Sequence, residues 1–209
     1  MKILIADDHA VFRHGLKDIL IRHFPDASFG EAETAQAALK LAWKRSWDIM
    51  LLDVSMPGRS GLEVLKEVKH ARPKLPVLIL SAYPEDQYAL RVLQAGAAGY
   101  LTKITATAEL IQAVEKALAG QAYIPPTITG ALLDHLRPGA ERPAHEKLSN
   151  REYEILRLIA SGKAAKTIAL EFSLSAQTIS THRARMLKKL GLQSTAELIR
   201  YAIQNRLVD

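Results

Sequence analysis

The sequence predicts an α/β doubly wound domain built on a five-stranded parallel sheet, followed by a small all-α domain of four helices. Three observations lead there. Over the first 124 residues short apolar runs alternate five times with segments of helical period. Two of those runs, Ile49-Met50-Leu51-Leu52 and Val77-Leu78-Ile79-Leu80, are apolar at every position, as parallel strands covered on both faces must be. From Leu148 onward only the helical period remains.

Taken in order, Ile3 to Ala6 reads as a strand and Val11 to Phe24 as the helix that follows it. Ser28 to Glu31 pairs with Ala35 to Trp43, and Ile49 to Asp53 with Leu62 to Ala71. Val77 to Ser81 precedes Asp86 to Ala95, and Gly99 to Thr102 precedes Glu109 to Ala119. The first helix shows one stripe of Phe12, Leu16, Ile19, Leu20 and His23, the last one of Leu110, Ile111, Val114 and Leu118. Strands and helices alternating at this spacing wind a sheet with right-handed crossovers. Residues 125–145 form a linker, with Pro125-Pro126, a helical patch at Ile128 to Leu136 and the Arg137 to Pro143 stretch. Residues 146–209 form the second domain, its helices separated by Gly162, Ser173 to Ser175 and Gly191.

Composition narrows the function. The chain has 209 residues and no cysteine, which excludes disulfide scaffolds, thiolate catalysis and Cys-ligated zinc. No apolar run reaches the ~20 residues of a membrane span, and Met1 to Ile5 runs into Ala6-Asp7-Asp8 with no signal-peptide core, so the expected location is cytoplasmic and no membrane partner is expected. Basic residues exceed acidic ones, 28 to 22. The excess is concentrated in residues 146–209, which hold 11 basic and 6 acidic side chains, and that asymmetry points to a polyanionic partner for the last third.

In an open α/β sheet a ligand sits beyond the carboxyl ends of the strands. Those ends carry Asp7-Asp8, Asp53, Ser81 and Thr102-Lys103. One such aspartate alone would more often cap the next helix. Three carboxylates, a hydroxyl and an ammonium at one edge suit a hard divalent cation, Mg²⁺, together with an anionic group.

The residues Asp7-Asp8, Asp53-Val54-Ser55-Met56-Pro57-Gly58, Gly61, Ser81-Ala82, Gly96-Ala97 and Tyr100-Leu101-Thr102-Lys103 resemble the flavodoxin-like receiver domain of two-component response regulators, over about residues 1–124. The resemblance implies that Asp53 is the phosphoacceptor for a sensor histidine kinase. It implies Mg²⁺ held by Asp8, Asp53 and the Ser55 carbonyl, with Asp7 acting through water, and phosphoryl oxygens bound by Ser81 and Lys103. Ser81 and Tyr100 are the implied switch pair. Proline usually follows the lysine in that family; here Ile104 does.

In the last third, Ser149 to Glu152 and Ser194 to Glu197 fit the S-x-x-E capping box and mark helix starts. A short helix around Ile168, Ala169 and Phe172 is followed by one capped by Ser175. The latter carries an apolar back of Ile179, His182, Met186, Leu187 and Leu190 and a front of Gln177, Thr178, Ser180, Thr181, Ala184, Arg185, Lys188 and Lys189, with Arg183 adding charge. Cations that neutralise phosphates beside short polar groups that reach base edges make a major-groove reader of double-stranded DNA, in a helix-turn-helix. Leu148 to Glu152, Ile155-Leu156, Gly162, Ile168-Ala169, Ser175, Thr178 to His182 and Leu187 to Gly191 resemble the output domain of the NarL/FixJ (LuxR-type) regulators. Two positions depart from that family's common Asn and Lys: Ala165 and Ser180. By the same resemblance, part of the stripe Leu198, Ile199, Ala202 and Ile203 is a homodimer interface on DNA; the alternative is that all of it is core.

The function expected is a phosphorylation-gated transcriptional regulator and not an enzyme. Two other readings remain: a constitutive regulator whose first domain is only a scaffold, and a Mg²⁺-dependent phosphohydrolase, which would need a D-x-D partner where Ser55 stands. His9 and His182 lack a second His or Cys at metal-ligand spacing and read as surface or packing residues. Ser161-Gly162-Lys163 lacks the flanking residues of a phosphate loop and reads as a helix C-cap.

Overall fold

The computed structural model describes every residue except 57, 58, 84, 137–142, 173, 206 and 209. Pro57, Gly58, Ser173 and most of the Arg137 to Pro143 stretch of the expected linker therefore lie outside the described residues. The chain divides into two compact units, Met1–Asp134 and His135–Asp209.

In the first unit five strands, β1 (Lys2–Ala6), β2 (Ser28–Ala32), β3 (Ile49–Asp53), β4 (Val77–Ser81) and β5 (Gly99–Thr102), alternate with α1 (Ala10–His23), α2 (Ala35–Lys44), α3 (Gly61–Ala71), α4 (Glu85–Gln94) and α5 (Ala106–Leu118). All pair in parallel, in the order β2-β1-β3-β4-β5. The order reverses between β1 and β3, so the loops leaving those two strands diverge and open a crevice at their carboxyl ends. Every residue of β3 and β4 is buried. Alternate side chains reach opposite layers: Ile3, Ile5, Leu51, Leu78 and Leu80 pack with Leu16 and Leu20 of α1 and Leu110 and Val114 of α5. A buried Leu or Ile contributes about 1.5–3 kcal/mol, so the all-apolar strands hold the frame on which the crevice is hung.

Helix α5 begins at Ala106, three residues before the Glu109 expected from its apolar period. A further helix, α6 (Pro126–Leu136), starts on the first unit: Ile128 is buried and the Thr127 hydroxyl bonds the Glu85 carboxylate. That anchorage carries the compact unit beyond residue 124.

The second unit holds a 3-10 turn (Ala144–Lys147) and four helices, α7 (Asn150–Ala160), α8 (Ala165–Glu171), α9 (Ala176–Leu190) and α10 (Thr195–Gln204). Ser149 and Glu152 form the full reciprocal capping box at the start of α7. At α10 the Ser194 side chain caps Glu197 N–H, while the Glu197 carboxylate reaches the N–H of Gln193, one residue earlier than a closed box requires. Gly162 and Gly191 take φ of 84° and 68° after α7 and α9, the left-handed geometry a glycine admits without strain. No helix among the described residues is long and apolar enough to cross a membrane.

Candidate acidic site and nucleic-acid interface

Parallel register brings the strand ends side by side: Ala6 pairs with Leu52, Asp53 with Leu80 and Ser81 with Thr102. Asp7, Asp53 and Ser81 are fully buried at that edge. The Lys103 N–H donates to the Ser81 carbonyl (2.7 Å), and the Thr102 hydroxyl accepts the Thr105 N–H (3.0 Å), so the chain turns sharply after β5 with the lysine aimed inward. Lys103 Nζ donates to Asp53 Oδ2 at 2.8 Å and forms an ion pair with Asp7 Oδ2, also at 2.8 Å. The Ser55 N–H donates to Asp53 Oδ1 (2.9 Å).

Burial, and then the neighbouring Asp7 charge, push the Asp53 carboxyl above its ordinary range, against the Lys103 ammonium and the Ser55 N–H. Burial works against the charge on Lys103, but the two carboxylates outweigh it and hold the ammonium above its usual value. One oxygen of Asp7 and one of Asp8 are buried, each beside a single nitrogen: Asp7 Oδ2 is 2.8 Å from Lys103 Nζ and Asp8 Oδ1 2.9 Å from His9 Nδ1. Ligand atoms from Asp7, Asp8, His9 and Asp53 lie within 4.8 Å of one another. Three carboxylates clustered at this spacing with one ammonium between two of them fit a divalent cation with oxygen preference. His9 is mostly exposed, with Nδ1 2.9 Å from Asp8 Oδ1.

Ser81 and Tyr100 are connected through a residue that sequence reasoning missed. Ser81 Oγ accepts the Tyr83 N–H (3.0 Å), and the fully buried Tyr100 donates its hydroxyl to the Tyr83 carbonyl (2.7 Å). Arg13 was missed as well. Its buried guanidinium donates to the Asp7 carbonyl (2.7 Å), Glu31 (3.1 Å) and Glu33 (2.7 Å), fastening the β1 end to the strand beside it.

In the second unit, Ser175 caps α9 by accepting the Thr178 N–H (3.0 Å) and bonds the Thr178 hydroxyl (2.8 Å). Ile179 and Met186 are buried beneath the helix, and His182 is half-buried. Gln177, Thr181, Arg183, Ala184, Arg185 and Lys188 are exposed, and Thr178 and Ser180 half-exposed. The Thr181 hydroxyl bonds the Gln177 carbonyl within the helix (3.0 Å). Lys189 sits 2.6 Å from Glu152 of α7 and so is engaged inside the unit. On α10, Leu198 and Ala202 are fully buried in their own unit, leaving Ile199 half-buried and Ile203 exposed.

A doubly wound sheet with a lysine-bridged aspartate pair at its switch point, joined to a helix-turn-helix with a cationic face, defines a two-domain signal-responsive DNA-binding regulator. The family described as response regulator receiver domain matches residues 3–115, and that described as bacterial regulatory proteins, luxR family, matches residues 146–202. The chain belongs to the NarL/FixJ family of two-component response regulators. It is 35% identical to the response regulator GacA of Pseudomonas aeruginosa over 210 residues, covering all of this chain and 98% of that one. It is also 35% identical to the oxygen regulatory protein NreC of Staphylococcus carnosus over 216 residues, covering 100% of both. Among solved structures, RcsB of Salmonella enterica serovar Typhimurium bound to the promoter rprA matches 96% of this chain and 98% of its own with a TM-score of 0.63 and 25% identity. An RcsB–DNA complex matches 100% and 99% with a TM-score of 0.59 and 26% identity.

Proposed function

We propose that the chain accepts a phosphoryl group on Asp53 from the phosphohistidine of a sensor kinase, and that this gates promoter binding by α9. One observation supports it above the rest: Lys103 Nζ lies 2.8 Å from both Asp53 and Asp7, at the carboxyl end of the sheet where the strand order reverses. An Asp53 oxygen attacks phosphorus in line as the P–N bond to histidine breaks, and the leaving nitrogen keeps the bond's electron pair. The Lys103 ammonium then pairs with the equatorial oxygens, whose charge a buried carboxylate pair alone would repel. Asp8, Asp53 and the Ser55 carbonyl would hold Mg²⁺, with Asp7 nearby, and the ion would supply the remaining positive charge.

The switch follows from the bonds to Tyr83. A dianionic group on Asp53 offers the Ser81 hydroxyl a charge-assisted acceptor. Turning to donate to it, Ser81 withdraws from the Tyr83 N–H, and the carbonyl of the same residue then moves with the Tyr100 hydroxyl it holds. In the second unit Arg183, Arg185 and Lys188 face phosphates, while Gln177, Thr178, Ser180, Thr181 and Ala184 face base edges. Ile199 and Ile203, the outward part of the α10 stripe, join two copies on neighbouring half-sites. The protein works in the cytoplasm, where kinase and DNA are both at hand.

The test is phosphorylation with acetyl phosphate and Mg²⁺, followed by peptide mass spectrometry and DNA binding. The label is expected on Asp53, with tighter promoter binding, and Asp53→Ala is expected to lose both. A label elsewhere, or binding that is indifferent to the label, overturns the reading.

A further inference from the structure

We propose that Lys189 positions the reading helix and makes no phosphate contact of its own: it clamps α9 to the first turn of α7 through Glu152. This rests on the reading of α9 as the DNA-binding helix. Lys189 Nζ is 2.6 Å from Glu152 Oε2, in a carboxylate that is 4% exposed. The same oxygen receives the Ser149 N–H at 2.7 Å, so the lysine closes onto the capping box itself. Lys189 is exposed like Arg183, Arg185 and Lys188, but those three have no ion pair among the described residues, so the bond to Glu152 is what sets Lys189 apart on α9.

The preceding residue holds the other helix of the pair. Arg151 bonds Glu154 (3.0 Å), and its guanidinium lies 4.1 Å from the ring centroid of Phe172, which ends α8. Two adjacent residues of α7 therefore fasten α8 at its end and α9 near its own. Fastened there, α9 cannot roll about its axis without leaving the Glu152 carboxylate, 4% exposed, short of its lysine, and a buried charge stripped of a partner costs far more than an exposed one. A small roll would carry Gln177, Thr181 and Ala184 sideways past the base edges they face, and hydrogen bonds to bases tolerate little displacement.

The clamp reverses a simple electrostatic expectation. Removing Glu152 makes the unit more positive and on charge alone should tighten its hold on DNA. Through the clamp, the same change loosens it.

The experiment measures affinity against salt for the full chain on the duplex that wild type selects from a randomised library. Lys188→Gln serves as the phosphate-contact control and is expected to lower the slope of log K against log salt by about 0.9. Lys189→Met and Glu152→Gln are each expected to weaken binding about tenfold, with the slope unreduced. Lys189→Arg is expected to restore most of the affinity, since a guanidinium still reaches the carboxylate. Glu152→Asp keeps the charge but shortens the reach, and is expected to weaken binding with the helical signal of the unit intact, so the proposal does not depend on variants that unfold. A Lys189→Met slope lowered like that of Lys188→Gln, or a Glu152→Gln variant that binds more tightly, overturns the clamp. Failure of the DNA reading would look different: wild type itself would show no salt-dependent binding.

Discussion

Gly61 decides where Asp53 sits. A Cβ on Gly61 would lie 2.2 Å from the Asp53 carbonyl oxygen and 2.6 Å from Val54 Cα, both backbone atoms that yield only if the strand end shifts. The Gly61 N–H also bonds the Val54 carbonyl (2.9 Å), so α3 is pressed against the segment that presents Asp53, the proposed phosphoacceptor. Gly61→Ala should cost about 1–3 kcal/mol by overpacking and slow phosphorylation by acetyl phosphate, since a sub-ångström shift of Asp53 disturbs in-line geometry. Denaturant melts and initial rates check both; a stable variant with wild-type rates refutes the close approach. A second residue ties the other unit to pH. Burial, reinforced by Arg185 and Arg151 and opposed by Glu152, lowers the His182 pKa below its ordinary 6.5. Its Nδ1 is buried without a partner. The unfolded chain thus takes up the proton first as pH falls, so this contribution to stability is complete above 6.5 and fades below it. Between pH 7 and 5 the melting temperature of the second unit should fall more in wild type than in His182→Gln, measured by circular dichroism at matched ionic strength.

At the scale of elements, the strands carry the first unit and the caps trim the second. Leu51 is fully exposed to neither solvent nor turn: it lies mid-strand in β3 with both sheet faces covered. Leu51→Ala should destabilise the first unit by about 2–5 kcal/mol. Ser149→Ala opens one half of the capping box and should cost the second unit only about 1 kcal/mol. Urea melts of the two variants, read separately for each unit, test that asymmetry. The same contrast explains what could be read from the sequence. Runs such as Ile49 to Leu52 and Val77 to Leu80 give away their strands because a doubly covered strand has no polar side to blur the pattern. The 3-10 turn at Ala144–Lys147 has no such period, and it is held by a partner 56 residues away, where His145 N–H meets the Tyr201 hydroxyl at 3.1 Å. Asp53 and Lys103, 50 residues apart, could be paired in advance because the topology of the sheet brings strand ends together. Glu152 and Lys189 could not, since nothing in helical periodicity says which flank of α9 meets α7. The α10 stripe was legible as apolar, yet only packing divides it into buried Leu198 and Ala202 and outward Ile203.

For the whole molecule, the two compact units have opposite chemistry. Carboxylates gather at the edge of the first, while on α9 of the second Arg183, Arg185 and Lys188 are exposed with no ion pair among the described residues. A ligand that binds one folded unit and not its unfolded chain stabilises that unit by mass action, by about 2.7 kcal/mol at a hundredfold excess over its dissociation constant. Mg²⁺ bound among Asp7, Asp8 and Asp53, as proposed, would relieve the repulsion of their charges, so its effect should belong to the first unit. Differential scanning calorimetry with and without Mg²⁺ should show the first unit's transition raised and the second's unmoved. Asp8→Asn should lose most of that rise, because the substitution removes one charge from the cluster while keeping its size. Calcium, larger and content with more ligands, should raise the transition less in so tight a group. A rise shared equally by both transitions, or one that survives in Asp8→Asn, would place the cation elsewhere. It would also leave the raised Asp53 carboxyl with Lys103 as its only counter-charge.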